Sequence, residues 1–185
     1  MHRFIWDLRY TPLPAEVPEY TMSTAFNQTA PPGLQGPQVL PGTYELRLTA
    51  GGQTVTEPVE VVMDPRVQVS REDLEKQFAL EMKIADAFQQ DESAIQEIRA
   101  LKARSGSDLA KKTAELLGDP EEQGRRPSRN KVSLLELNGV LTHLEDVVDS
   151  ADAAPTKQAT AAVDEALGQL KSLLEQWQAL SKSQK

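Results

Sequence analysis

Apolar and polar positions alternate with a period of two from Phe4 to Tyr10, where Phe4, Trp6, Leu8 and Tyr10 are interleaved with Arg3, Asp7 and Arg9. That pattern predicts a strand with one buried face. It returns at Tyr44, Leu46 and Leu48 and, after Gly51-Gly52, at Val55, Val59, Val61 and Met63. Two adjacent glycines supply the positive φ of a tight hairpin turn. Pro58 lacks an N–H for the ladder, which places its strand at an edge or at a bulge. Between the first strand and the hairpin, Thr11 to Pro41 holds seven prolines and little periodicity, and reads as one long loop with room for a short edge strand. A connection of that length is either functional or incompletely packed.

From Ser70 onward the period becomes helical. Ser70 is a suitable N-cap, and Glu72 and Asp73 stand in the first turn, where the helix dipole favours anions. Leu74, Phe78, Met82, Ala85, Phe88, Ile95, Ile98 and Leu101 then share a broad face, giving a helix over about 71–104. A short helix over 107–117 follows, closed by Gly118 and Pro120. Gly118 to Asn130 is polar and rich in breakers and reads as a loop. Leu134, Leu137, Leu141, Leu144 and Val148 alternate spacings of three and four, as do Ala159, Val163, Ala166, Leu170, Leu173, Trp177 and Leu180. These predict helices over 131–150 and 156–181, the second capped by Thr156 and turned back on the first through Asp149–Pro155.

Composition divides the chain near Arg66, since nine of the 12 prolines and six of the nine aromatic residues lie at or before it. The expected fold class is α+β. Residues 1–66 are expected to form a small, incomplete antiparallel β-sandwich with a proline-rich loop at 11–41, and residues 67–185 an antiparallel bundle of three long helices plus one short one. Three strands are few for a free-standing sandwich, so a covering surface is expected from elsewhere.

Charge and residue types narrow the chemistry. A formal net charge of −8 repels phosphate backbones and anionic membranes on average, so a nucleic-acid partner is not expected. No apolar run approaches the roughly 20 residues of a membrane-spanning helix, and no basic n-region with an apolar h-region follows Met1, so no signal peptide is expected in this sequence. The chain contains no cysteine, which removes thiol chemistry and is compatible with either redox compartment. His2 and His143 are the only histidines and share no metal-ligand spacing, and His143 flanks its helical seam.

Glu72, Asp73, Glu75, Glu81, Asp91, Glu92 and Glu97 sit among Lys76, Lys83, Arg99 and Lys102 and read as a solvated helix face rather than a catalytic pair. Asp7 is expected to pair with Arg9 or Arg47. Trp6 and Trp177 fall on apolar faces and are expected in the core, and Arg125, Arg126, Arg129 and Lys131 read as a solvated basic loop. Phosphate-loop, G-x-S-x-G, H-E-x-x-H and EF-hand patterns are absent from the sequence. No catalytic, cofactor or metal-binding set is predicted. The candidate partner-contact residues are Tyr20 and Phe26 in the proline-rich loop and Pro58 on the strand edge.

HRFIWDLRY, then GPQVLPGTYELRLTAGGQTVTEPVEVVMDPRV, then SREDLEKQFALEMKIADAF resembles the C-terminal region of bacterial sortilin-like, BNR-repeat β-propeller proteins, which often carry a glycosyl hydrolase label. NGVLTHLEDVVDSADAAPTKQATAAVDEALGQLKSLLEQWQAL resembles that region's terminal helical hairpin. The resemblance implies a fibronectin-like or Ig-like sandwich and helices packed beside a propeller, and a periplasmic or extracellular setting. The S-x-D-x-G-x-T-W motif of propeller blades does not occur in the sequence, so no hydrolase residue carries over, and the chain reads as a detached tail. The expected role is a non-catalytic accessory or interaction module with a protein or upstream propeller partner. The alternatives are part of a carbohydrate-active hydrolase whose active site lies in the propeller, with glycan contact only through it, and a self-associating helical scaffold.

Overall fold

The computed structural model describes residues 3–16, 34–102, 107–118 and 132–182. It is an α+β structure: a two-stranded antiparallel sheet of β1 (Gly42–Ala50) and β2 (Gln53–Val61), then helices α1 (Arg71–Lys102), α2 (Ser107–Leu117), α3 (Leu134–Asp149) and α4 (Lys157–Lys182).

The hairpin is set by its turn. Gly51 and Gly52 take φ of 58° and 78°, the left-handed pair that a two-residue loop needs to follow strand twist. Register runs unbroken from Ala50↔Gln53 to Gly42↔Val61, so Pro58, opposite Glu45, lies in a regular ladder without a bulge. Both strands of such a sheet are edges, which is where a proline fits.

The segment from Phe4 to Tyr10 forms no strand. Phe4 is 88% and Ile5 73% exposed, and Leu8 adopts φ 63°, which breaks the extended chain. Residues 8–13 instead run antiparallel to residues 34–39. Tyr10 N–H donates to Pro37 O, Val39 N–H to Leu8 O and Leu13 N–H to Leu34 O, each at 2.9 Å, around a single bridge between Arg9 and Gln38. Period-two alternation marks a surface with two environments, but it does not supply a sheet edge to pair with.

This strap lies on the helices. Leu13 and Leu34 belong to the same core as Ile84, Phe88, Ile95, Leu137 and Leu141. Helices α1, α3 and α4 each touch the other two. Gln77 bonds the Val148 carbonyl while Asn138 bonds Asp91, so α3 runs opposite to α1. Trp177 donates to Glu97 at 2.8 Å, which sets the C-terminal ends of α4 and α1 side by side. Local chemistry fixes the helix starts. Ser70 Oγ accepts the Asp73 N–H, and Thr156 Oγ1 accepts the Ala159 N–H. Ser133 and Glu136 exchange bonds in a capping box, which starts α3 at Leu134, three residues later than the expected 131.

The strap is threaded closely at Gly36. A Cβ there would collide with the main-chain carbonyls of Thr11 and Tyr10, neither of which can move away as a side-chain tip would. Gly36→Ala is therefore expected to cost on the order of 2 kcal/mol and to raise amide exchange at Tyr10 and Leu13 more than at Leu141. Unchanged exchange at Tyr10 would show that the close approach is absent.

Candidate functional site

The cross-strand register sorts the hairpin into two faces. Tyr44, Leu46 and Leu48 share one with Val59, Glu57 and Val55, while Thr43, Glu45, Arg47 and Thr49 share the other with Glu60, Pro58, Thr56 and Thr54. At the base of the apolar face, Tyr44 donates its hydroxyl to Leu40 O at 2.6 Å and receives Trp6 edge-on at a ring separation of 5.6 Å. Beyond Tyr44 that cover ends. Leu46 is 47%, Val55 58% and Leu48 68% exposed. Burying what these three side chains still expose is worth roughly 3–4 kcal/mol, so a sizeable part of the driving force of a β-layer is left unrealised on this face.

Below the hairpin, a cleft of about 250 Å³ opens between its base and α1, with Leu8, Val39, Met63 and Phe78 on its walls and Gln77 and Glu81 among its polar lining. It falls short of the roughly 300–1,000 Å³ of ordinary small-molecule sites. Gln77 Nε2 donates to Glu81 Oε1 and to Val148 O, both at 3.0 Å, and Gln77 Oε1 accepts the Ala153 N–H at 3.2 Å. Glu81 is buried, and that burial raises its carboxyl above the usual range against the opposing Gln77 bond.

Glu145 on α3 is buried beside it, and neither of its carboxyl oxygens has a hydrogen-bond partner among the described residues. Burial, and then the neighbouring charges of Glu81 and Asp149, push it up to about 8. Arg9 from the strap binds Asp149 with both terminal nitrogens, at 3.1 and 2.9 Å, and Gly36 O at 3.0 Å. One guanidinium thus faces three carboxyl groups and neutralises the outermost. Glu145 is sealed from solvent, so it has no access to a substrate proton.

A second cluster pins the far end of the strap. Asn138 is fully buried, donates to Asp91 Oδ2 at 2.9 Å and accepts the Glu16 N–H at 2.8 Å. Arg99 grips both oxygens of Glu16 at 2.7 and 2.9 Å and holds that carboxyl below its ordinary value. Asp91, fully buried, is raised to about 7 by burial, partly offset by the Asn138 bond.

These two clusters correct the sequence reading of α1. Glu81 and Asp91 are not on a solvated face, because α3 packs against that side of the helix together with residues 9–16. A proline-rich segment carries no periodicity that would announce it as a covering layer. The same reading placed Leu46 and Leu48 on a buried face, and they are exposed because no layer among the described residues covers them.

Tyr20 and Phe26 lie outside the described residues, as do His2 and the basic run Arg125, Arg126, Arg129 and Lys131. Pro58 is exposed on the polar face of β2, pointing away from Leu46, Leu48 and Val55, so the structure does not join it to the apolar patch. Asp7 accepts the Arg9 main-chain N–H at 3.1 Å, whereas the Arg9 guanidinium goes to Asp149. Trp177 is buried, Trp6 half-buried and His143 exposed. Leu46, Leu48 and Val55 form an exposed apolar patch that sequence reasoning passed over, and alternation cannot distinguish a covered strand face from an open one.

Among the described residues, no group of three or more His, Cys, Asp or Glu side chains could hold a metal ion, and no helix is long and apolar enough to cross a membrane. No family model matches the chain, and neither curated proteins nor solved structures yield a match.

Proposed function

We propose that this chain is a non-catalytic interaction module, in which the helices and the strap anchor a hairpin whose apolar face is covered by a protein partner. The observation that carries the reading is the exposure of Leu46, Leu48 and Val55 together on one face of a two-stranded sheet. A two-stranded hairpin is marginal alone, and gains most from a second layer. In this reading the partner completes a fibronectin-like or Ig-like sandwich over the hairpin, and α1, α3 and α4 form the supporting bundle with α2 at its side. The resemblance of the HRFIWDLRY and PGTYELRL segments to tails of sortilin-like propeller proteins makes such a propeller the first partner to test, in a periplasmic or extracellular setting.

Analytical ultracentrifugation of the purified chain mixed with a separately expressed sortilin-like propeller domain is expected to show a 1:1 complex. Leu48→Asp, at an exposed position, is expected to leave the melting temperature within about 2 °C of the parent and to abolish the complex. Independent sedimentation of the two wild-type proteins at tens of micromolar would count decisively against a propeller partner.

A further inference from the structure

Register and charge together say what kind of surface covers the hairpin. Five cross-strand pairs lie on its apolar face, from Gly42↔Val61 at the base through Tyr44↔Val59, Leu46↔Glu57 and Leu48↔Val55 to Ala50↔Gln53 at the turn. The middle pair holds Glu57, the only charged side chain on that face, and it is exposed. The opposite face carries Thr43, Thr49, Thr54 and Thr56 with Glu45, Arg47 and Glu60, and suits water. Cover is therefore needed on one side only, and whatever supplies it must place its own centre against a carboxylate.

A second copy of this chain meets that requirement badly. A two-fold contact through the middle of the face sets Glu57 against Glu57, because an isologous interface opposes like with like. Two carboxylates brought together and stripped of water repel, and a formal net charge of −8 on each copy adds to the repulsion at long range. A surface carrying Arg or Lys at its centre instead pairs with Glu57 while its apolar surround covers Leu46, Leu48 and Val55. Such a juxtaposition gains both specificity and on-rate.

We infer that the hairpin's occupant is an apolar β-face of a different polypeptide, with a cationic side chain at its centre that binds Glu57, and that Glu57 keeps copies of this chain from pairing with each other. The inference rests on the interaction role proposed above and specifies the partner for that same face.

The chain itself can supply a surrogate partner, because Glu57→Lys converts its own apolar face into one of the inferred kind. In sedimentation equilibrium at up to about 200 µM, wild type and Glu57→Lys are each expected to remain monomeric. Their equimolar mixture is expected to associate at least about tenfold more tightly than either alone, with the gain removed by 0.5 M NaCl or by Leu48→Asp in one component. Glu57→Leu, which removes the charge, is expected to self-associate. Wild-type dimers that Leu48→Asp dissolves would overturn the inference in favour of a second copy. Association of Glu57→Leu without any gain in the mixture would overturn the role of Glu57 and leave the interaction reading standing. Monomers throughout would remove both.

Discussion

Leu141→Asp is expected to abolish the cooperative folded state. Leu141 is fully buried in α3, in the core that α1, α3 and α4 share with Leu13 and Leu34 of the strap. Truncating a core leucine costs about 2–5 kcal/mol through lost contacts and the cavity left behind, before any charge is considered. The new carboxyl would stand one turn from Glu145, whose own oxygens are without hydrogen-bond partners among the described residues. Arg9, whose charge acts on Glu145, is already committed to Asp149. Protonating the new group or burying it charged adds several kcal/mol more. The total is comparable to the 5–15 kcal/mol stability of an ordinary domain. Far-UV circular dichroism should show most helix signal lost at 25 °C, or a broad transition without a sharp midpoint. A cooperative melt within a few degrees of the parent would contradict the placement of Leu141. Leu48→Asp is the matched contrast: the same change at a 68% exposed position should leave the melt almost untouched.

How far the sequence foretold this structure depends on the kind of pattern each segment carries. The hairpin was legible because Gly51-Gly52 and the flanking alternation act locally and agree with each other. The four helices were legible from spacing, and their ends from Ser70, Thr156 and Gly118, whose effects reach no further than a turn. Residues 3–16 were not. Their alternation resembles a strand, but pairing is a property of what lies beside a segment, and what lies beside this one is a second proline-rich stretch and two helices. The error then propagated to α1. With the strap unseen, Glu81 and Asp91 read as solvated, whereas Arg9, Glu16 and Asn138 reach them from 47 or more positions away in the chain. The candidate contact face had the same weakness. Tyr44, Leu46 and Leu48 mark an apolar side in any fold, and only the arrangement of the other elements shows that the side beyond Tyr44 is uncovered.

The buried acids also set how stability depends on pH, and Glu145→Gln should expose that dependence. Glu145 ordinarily titrates at 4.5 and is raised to about 8 in the folded chain. A raised acid means that the native state keeps a proton the unfolded chain has released, so stability declines as pH rises between those two values and levels off above the higher one. Asp91 acts in the same sense between 3.8 and about 7. Glu16, lowered by Arg99, acts in the opposite sense: its contribution is present above its unfolded value and is lost as pH falls through the lowered folded one. The groups facing Glu145 are Glu81 from α1, Asp146 and Asp149 from its own helix, and Arg9 from the strap. Only Arg9 among them favours ionisation, which is why burial prevails. Denaturant midpoints at pH 5, 7 and 9 should therefore fall with pH in the wild type. In Glu145→Gln much of that fall should disappear, with the variant gaining on the order of 2–4 kcal/mol over the parent between pH 5 and 9. Parallel pH profiles for the two proteins would mean that Glu145 is already solvated and ionised at neutral pH. In that case the strap does not lie over α1 and α3 as a cover, and Asp149→Asn, which releases Arg9, should then leave amide exchange at Tyr10 unchanged.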